Sequence, residues 1–148
     1  PPKVANPTGA QKIFDEFHSH FQAIMVLSVD NQSIRPWIHD NKWKEANAQA
    51  TAPLDISGPC IFRIVHRSGQ PFHGPISPNP INNQFFKNWG YSTNPSHISL
   101  VPIKYDSFMA GMLLAVGDKN NNSLQALAIA EKLTEKIKPI LEQTKKVA

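Results

Sequence analysis

Residues 24–29 read IMVLSV, a run in which Ser28 alone breaks a series of apolar side chains. Successive side chains of a strand point to opposite faces, so a run of this kind predicts a strand buried on both sides. A second strongly apolar segment, FMAGMLLAV from Phe108 to Val116, follows HISLVPIK (His97 to Lys104) across the turn YDS. The two read as a long hairpin at the centre of a sheet. At 148 residues the chain is long enough to bury one such core.

The remaining elements follow from period and punctuation. Ile13, Phe14, Phe17 and Phe21 recur at helical spacing and predict a helix from Gln11 to His20. After IMVLSV, the turn signal DNQS (Asp30 to Ser33) leads into IRPWI, a second strand that closes a hairpin. Pro36 cannot donate to a ladder, which assigns it to an edge or a bulge. The polar, alanine-rich stretch from Asp40 to Pro53 suits a loop or a short helix. Ser57 or Gly58 can cap the next helix, with Pro59 in its first turn and Gly69 as a left-handed terminator. Its buried stripe is read as Ile61, Ile64 and Val65, with Arg63, His66 and Arg67 on the other side. Pro71 to Ile76 admits a short strand, and Ile81, Phe85, Phe86 and Trp89 restart a helix before Gly90. GDKNNN is a loop. Ser123 then caps a last amphipathic helix bearing Leu124, Leu127, Ala130, Leu133, Ile137 and Leu141, with Pro139 near its end. Strands in antiparallel pairs with helices between the pairs make the class α+β.

Composition narrows the function. Hydrophobic residues are 41% and charged residues 18%, which suits a globular chain. No apolar run approaches the roughly 20 residues of a spanning helix, so no membrane role is expected. PPKVANPTGA (residues 1–10) reads as a linker or disordered lead-in to a domain over 11–148, excised from a longer protein. The lone Cys60 allows no internal disulfide and fits a cytoplasmic setting. Net charge is +4, with 15 Lys and Arg against 11 Asp and Glu, a modest excess consistent with solubility. Aromatic residues are not interleaved with Lys or Arg on a strand, so nucleic acid is not an expected partner.

Catalytic and metal chemistry find little support. His18 and His20 lie two apart on a helix and do not face each other. His39, His66, His73 and His97 are scattered without acidic or cysteine partners at ligand spacing, so no metal site is expected. No G-x-S-x-G elbow, P-loop or H-E-x-x-H occurs; Ser68, His66 and Asp55 form a triad on paper only. No catalytic residue and no cofactor are assigned, and the chain is not read as an enzyme. Arg63, His66 and Arg67 could offer donors to a phosphate or carboxylate, or complement the dipole at a helix C-terminus. Residues 66–80, HRSGQPFHGPISPNP, form a proline-stiffened connector, with too few glycines and N–H groups to cradle phosphate.

Three stretches, in this order, resemble the GAF domain, a sensory module. LDISGPCIFRIVHRSGQPFHGP is similar to the family's helix running into an "ETG-x-P" turn and a short strand, matched here by Arg67-Ser68-Gly69-Gln70-Pro71. HISLVPIKYDSFMAGMLLAVGD is similar to its paired strands, with Val101-Pro102-Ile103 and Gly111-Met112-Leu113 at the recurring positions. The flanking helices resemble the pair that lies together on the family's outer face. Gly74, Pro75, Pro80 and Asn82 echo a "GPxxxxPxN" pattern of divergent GAF-like domains in deltaproteobacterial multidomain signalling proteins.

The resemblance implies a central antiparallel sheet of five to six strands, terminal helices on one face and middle helices with loops on the other. It implies a sensory or docking domain of a cytoplasmic bacterial signal-transduction protein. Such a domain would act through a protein partner, or as a homodimer through its terminal helices, with a degenerate or empty ligand pocket. The alternative it implies is a sensor of a small anionic or aromatic ligand held between sheet and middle helices, for which Trp37, Arg63, His66, His73 and Tyr91 are the candidates. Asn41-Lys42 is present, but the Phe and Asp-Glu that complete the family's cyclic-nucleotide pattern do not follow it. Cys60 falls on the apolar side of its helix, as a buried thiol rather than an attachment point.

Overall fold

Ile24 to Val29 lies within strand β1 (Ala23–Asp30), and the strand is covered on both faces as its apolar run demands. The computed structural model describes residues 9–30, 33–117 and 123–147, with the side chains of 125–142 in the last helix. The loop signals at residues 31–32 and 118–122 and the lead-in over 1–8 lie outside the described residues. β1 pairs with β2 (Ser33–His39) on one side and with β5 (Phe108–Gly117) on the other. β5 pairs in turn with β4 (His97–Tyr105), and β4 with the short β3 (Phe72–Gly74). The order is β2-β1-β5-β4-β3, antiparallel throughout. This is an α+β fold with a five-stranded sheet among the described residues.

Pro36 sits on the edge strand β2 opposite Leu27, where the register with β1 shifts. Both permitted locations for a strand proline, edge and bulge, are thus met at one residue. Gly111 marks a close approach of β5 to β1: a Cβ there would stand 2.6 Å from the Leu27 carbonyl oxygen.

Side chains of β1 alternate between two cores. Met25 and Leu27 join one cluster with Met112, Leu114, Ile98 and Leu100, closed by α2 (Ile61–Ser68) and α3 (Pro80–Asn88). Ile24 and Val26 join the other with Leu113, Ala115, Val101 and Ile103, closed by α1 (Ala10–Glu16) and α4 (Ser123–Val147). Each large apolar side chain sealed in these layers contributes about 1.5–3 kcal/mol relative to exposure.

The terminal helices spend their apolar residues on the sheet and on each other. Phe14, Phe17, Phe21, Leu133, Ile137 and Leu141 are all buried in the second cluster. What α4 presents outward includes Glu131, Lys132, Glu135 and Lys136. Among the described side chains, neither terminal helix exposes a large apolar residue. The first helix is also shorter than its periodicity predicts. Regular helix ends at Glu16, and turns carry the chain to His20, with i to i−3 bonds from Phe17 N–H to the Phe14 carbonyl and from His20 N–H to the Phe17 carbonyl. Phe17 and Phe21 are both buried beyond the regular helix.

Candidate functional site

Helix α2 begins two to three residues later than a Ser57 or Gly58 cap would start it. The cap is Cys60, in extended backbone, whose thiol accepts from Arg63 N–H at 3.4 Å; Pro59 precedes the helix rather than entering its first turn. Burial pushes the Cys60 thiol above its ordinary pKa. Gly69, at φ 69, ends the helix as a left-handed terminator, with its N–H on the Val65 carbonyl.

With this start, Ile61, Phe62 and Val65 point inward. Ile64 does not, which corrects the expected stripe: at 100° per residue it lies well round from the centre of that arc and is 54% exposed. Arg63 spends one donor on the Ser57 carbonyl at 2.8 Å. Neither Arg63 nor Arg67 has a carboxylate partner among the described residues. His66 is half-buried beside them in the last turn.

Helix α3 explains the Pro80 and Asn82 of the motif. Asn79 caps the helix, its side-chain oxygen accepting from Asn82 N–H at 2.8 Å, and Pro80 takes the first turn, where no N–H is needed. The Asn82 carboxamide is 1% exposed and joins two segments. Its oxygen accepts from Ile61 N–H at 3.1 Å, and its NH2 donates to the Ser77 carbonyl at 3.0 Å. One side chain thereby fixes the start of α2 against the start of α3.

Rings fill the space between these helices and the sheet. Phe62 meets Phe85 at 4.8 Å between centroids, Phe85 meets Phe86 at 5.0 Å, and Phe86 meets Tyr91 at 5.8 Å. The series continues through Tyr91–Trp43 at 5.7 Å, Trp43–Trp89 at 6.1 Å and Trp89–His39 at 5.0 Å. Most of these contacts are edge-to-face, the arrangement favoured by ring quadrupoles. Burial raises the Tyr91 hydroxyl pKa, and the Asp40 charge raises it further.

The five candidate residues are not brought together. Tyr91 belongs to the ring series on the middle-helix face, and Arg63 and His66 sit on α2. Trp37 packs instead against the cluster under the terminal helices. His73 faces the same way, opposite Ser99, with its Nδ1 2.7 Å from the Ser99 hydroxyl and its ring stacked 6.4 Å from His97. His73 Nε2 and His97 Nδ1 are buried without a partner among the described residues. Burial lowers the His73 pKa, with a further lowering from His97. Sequence spacing could not foresee this division, because β3 is three residues long and one step of register moves a side chain through the sheet.

The paper triad is not assembled either. Asp55 accepts from the backbone and hydroxyl of Ser57, and Ser68 accepts from Gln70 N–H. No three His, Cys, Asp or Glu converge as metal ligands among the described residues.

A surface cleft of about 420 Å³ lies where no candidate was placed, between residues 49–55 and one side of α3. Ala50, Leu54, Ile81 and Phe85 give it an apolar floor, with Gln49, Gln84 and Asn88 as its carboxamides. Asn47, just outside the lining, ties its two sides together: its oxygen caps the short 3-10 helix Ala48–Thr51, and its NH2 donates to Asn88 Oδ1 at 2.9 Å. Gln84 Nε2 donates to the same Asn88 oxygen at 2.7 Å, and Ala46 N–H to the Asn88 carbonyl. The asparagines announce turns in the sequence; a contact 41 residues apart has no local signal.

No family pattern and no curated protein matches the sequence. Solved structures do match. The GAF domain of a two-component sensor histidine kinase from Bacillus halodurans superposes with a TM-score of 0.64 at 16% identity, covering 92% of each chain. A GAF domain/HD domain protein from Geobacter sulfurreducens gives 0.64 at 12% identity over 97% of each. The GAF domain of an Acinetobacter phosphoenolpyruvate-protein phosphotransferase gives 0.60 at 13%, over 99% of this chain and 87% of that one. With its antiparallel five-stranded sheet held between terminal and middle helices, this chain has the fold of a GAF domain.

Proposed function

We propose that the chain is a sensory or docking domain of a cytoplasmic bacterial signal-transduction protein, acting through a protein partner rather than by catalysis. In this reading the space between sheet and middle helices is closed by the domain's own side chains. The observation that carries it is the ring series from Phe62 to His39, in which Phe62, Phe85, Phe86, Trp43 and Trp89 are each at most 5% exposed. A ligand there would have to displace buried rings, forfeiting about 1.5–3 kcal/mol for each. The signalling proteins from which the similar structures come support the regulatory role. The echo of Gly74, Pro75, Pro80 and Asn82 supports a deltaproteobacterial host.

The partner surface we assign is the outward side of α2. Ile64, an exposed large apolar residue, stands beside Arg63 and Arg67, whose charges lack carboxylate partners among the described residues. A segment combining acidic and apolar side chains complements it. Native mass spectrometry and affinity capture test both halves. The expected results are the mass of the polypeptide alone and a captured protein released by Ile64→Glu and by Arg67→Glu. A stoichiometric small molecule that leaves only on unfolding would favour the ligand sensor instead. Capture unaffected by both substitutions would remove α2 as the docking face.

A further inference from the structure

The cleft between residues 49–55 and α3 adjoins the ring-filled space at Phe85 but opens on its outer side, since no strand residue among those described lines it. Its volume of about 420 Å³ lies within the range of small-molecule sites, roughly 300–1,000 Å³. Three features define what it can hold. Its floor is apolar, from Ala50, Leu54, Ile81 and Phe85. Its hydrogen-bonding groups are carboxamides, and their wiring is fixed: Asn88 Oδ1 is consumed by Asn47 and Gln84, which leaves Asn88 NH2 as a donor and Gln84 Oε1 as an acceptor, neither with a partner among the described residues. Among the described residues no cation lines the cleft, and the one charge that does is the Asp55 carboxylate, held by Ser57.

We infer that this cleft binds an uncharged, flat ligand that presents an amide-like pair of donor and acceptor. Asn88 NH2 and Gln84 Oε1 meet that pair, and Phe85 and Leu54 cover its apolar body. Anions are rejected, because Asp55 repels them and no donor charge offsets their desolvation. The site is pre-formed: Asn47 holds the 3-10 helix to α3, so little order remains to be imposed on binding.

Benzamide and benzoate, alike in shape and opposite in the feature that matters, are the probes. In amide-resolved NMR titrations of the whole chain, benzamide is expected to give saturable, millimolar shifts at Ala50, Leu54, Ile81, Gln84 and Phe85, with benzoate silent there. Gln84 is exposed, so Gln84→Ala keeps the fold; losing one hydrogen bond should weaken benzamide roughly three- to tenfold. Ala52→Phe, which places a ring in the cleft from its rim, should abolish the shifts. Absence of saturable benzamide shifts, an equal response to benzoate, or unchanged affinity in Gln84→Ala would each overturn the inference. None of these outcomes bears on Ile64 and Arg67, so the cleft and the α2 face stand or fall separately.

Discussion

The imidazole Nε2 of His18 lies 2.9 Å from a carboxylate oxygen of Asp40, which is itself fully buried. Asp40 also accepts from Ile24 N–H at 2.8 Å and from Lys42 N–H at 3.0 Å. One side chain thereby ties the turn after α1, the start of β1 and the end of β2. Replacing it by alanine leaves the Ile24 N–H without its acceptor inside the protein. Asp40→Ala should cost about 1.5–3 kcal/mol, the range for hydrogen bonds to charged groups, and Asp40→Asn less, since its amide oxygen can still accept. Urea melts with unchanged slope and lower midpoints, in that order, are the expected result. Equal midpoints for wild type and Asp40→Ala would refute the buried role.

His73 gives the fold a pH dependence of known sign. Burial first, and His97 second, lower its pKa from the ordinary 6.5. The unfolded chain then takes up the proton more readily than the folded one. Stability is full above about pH 6.5 and is lost as pH falls through the lower folded value. Melting temperatures of wild type and His73→Gln should therefore converge towards acid, with the variant the less sensitive below about pH 6.5. Parallel curves would contradict the assignment.

Gly111 should not accept even a methyl group. Its added Cβ would meet backbone, the Leu27 carbonyl oxygen at 2.6 Å, and a central strand cannot move aside as a flexible side-chain tip can. Gly111→Ala is expected to destabilise by about 1–3 kcal/mol, the usual cost of overpacking. Thermal melts check it, and a neutral result would mean that β1 and β5 do not approach so closely.

Asn82 offers a donor–acceptor test. Asn82→Asp keeps an acceptor for Ile61 N–H but turns a carboxylate oxygen towards the Ser77 carbonyl. Asn82→Ala removes both bonds and leaves a buried N–H unpaired, for about 1–3 kcal/mol. Both variants should melt lower than wild type, with amide exchange at Ile61 accelerated in Asn82→Ala. Unchanged protection there would show that Asn82 does not hold the start of α2.

The candidate site was less legible than the fold. Helical period and glycine punctuation are local, and they put Arg63 and His66 on one helix and Tyr91 beside a loop. Trp37 and His73 lie across the sheet from them, because strand facing depends on register with a partner strand. Apolar character alone puts Ile64 in the core; α2 begins at Ile61, and the cap that sets its phase is a cysteine, a residue seldom read as one. Asn47, Gln84 and Asn88 carried no signal as a cleft.

Local rules alone determined the α+β class, the antiparallel hairpins, Pro36 at an irregular edge and Gly69 as a helix terminator. Each depends on side-chain periodicity, a missing N–H or a permitted φ, all properties of a few adjacent residues. Tertiary structure alone decided which face each strand residue serves, that the apolar stripes of α1 and α4 cover the sheet and each other, and that Asp40 and Asn82 are buried. Those outcomes arise when distant segments compete for the same apolar surface and buried polar groups must find partners wherever packing leaves them. Adjacency along the chain carries no record of that competition.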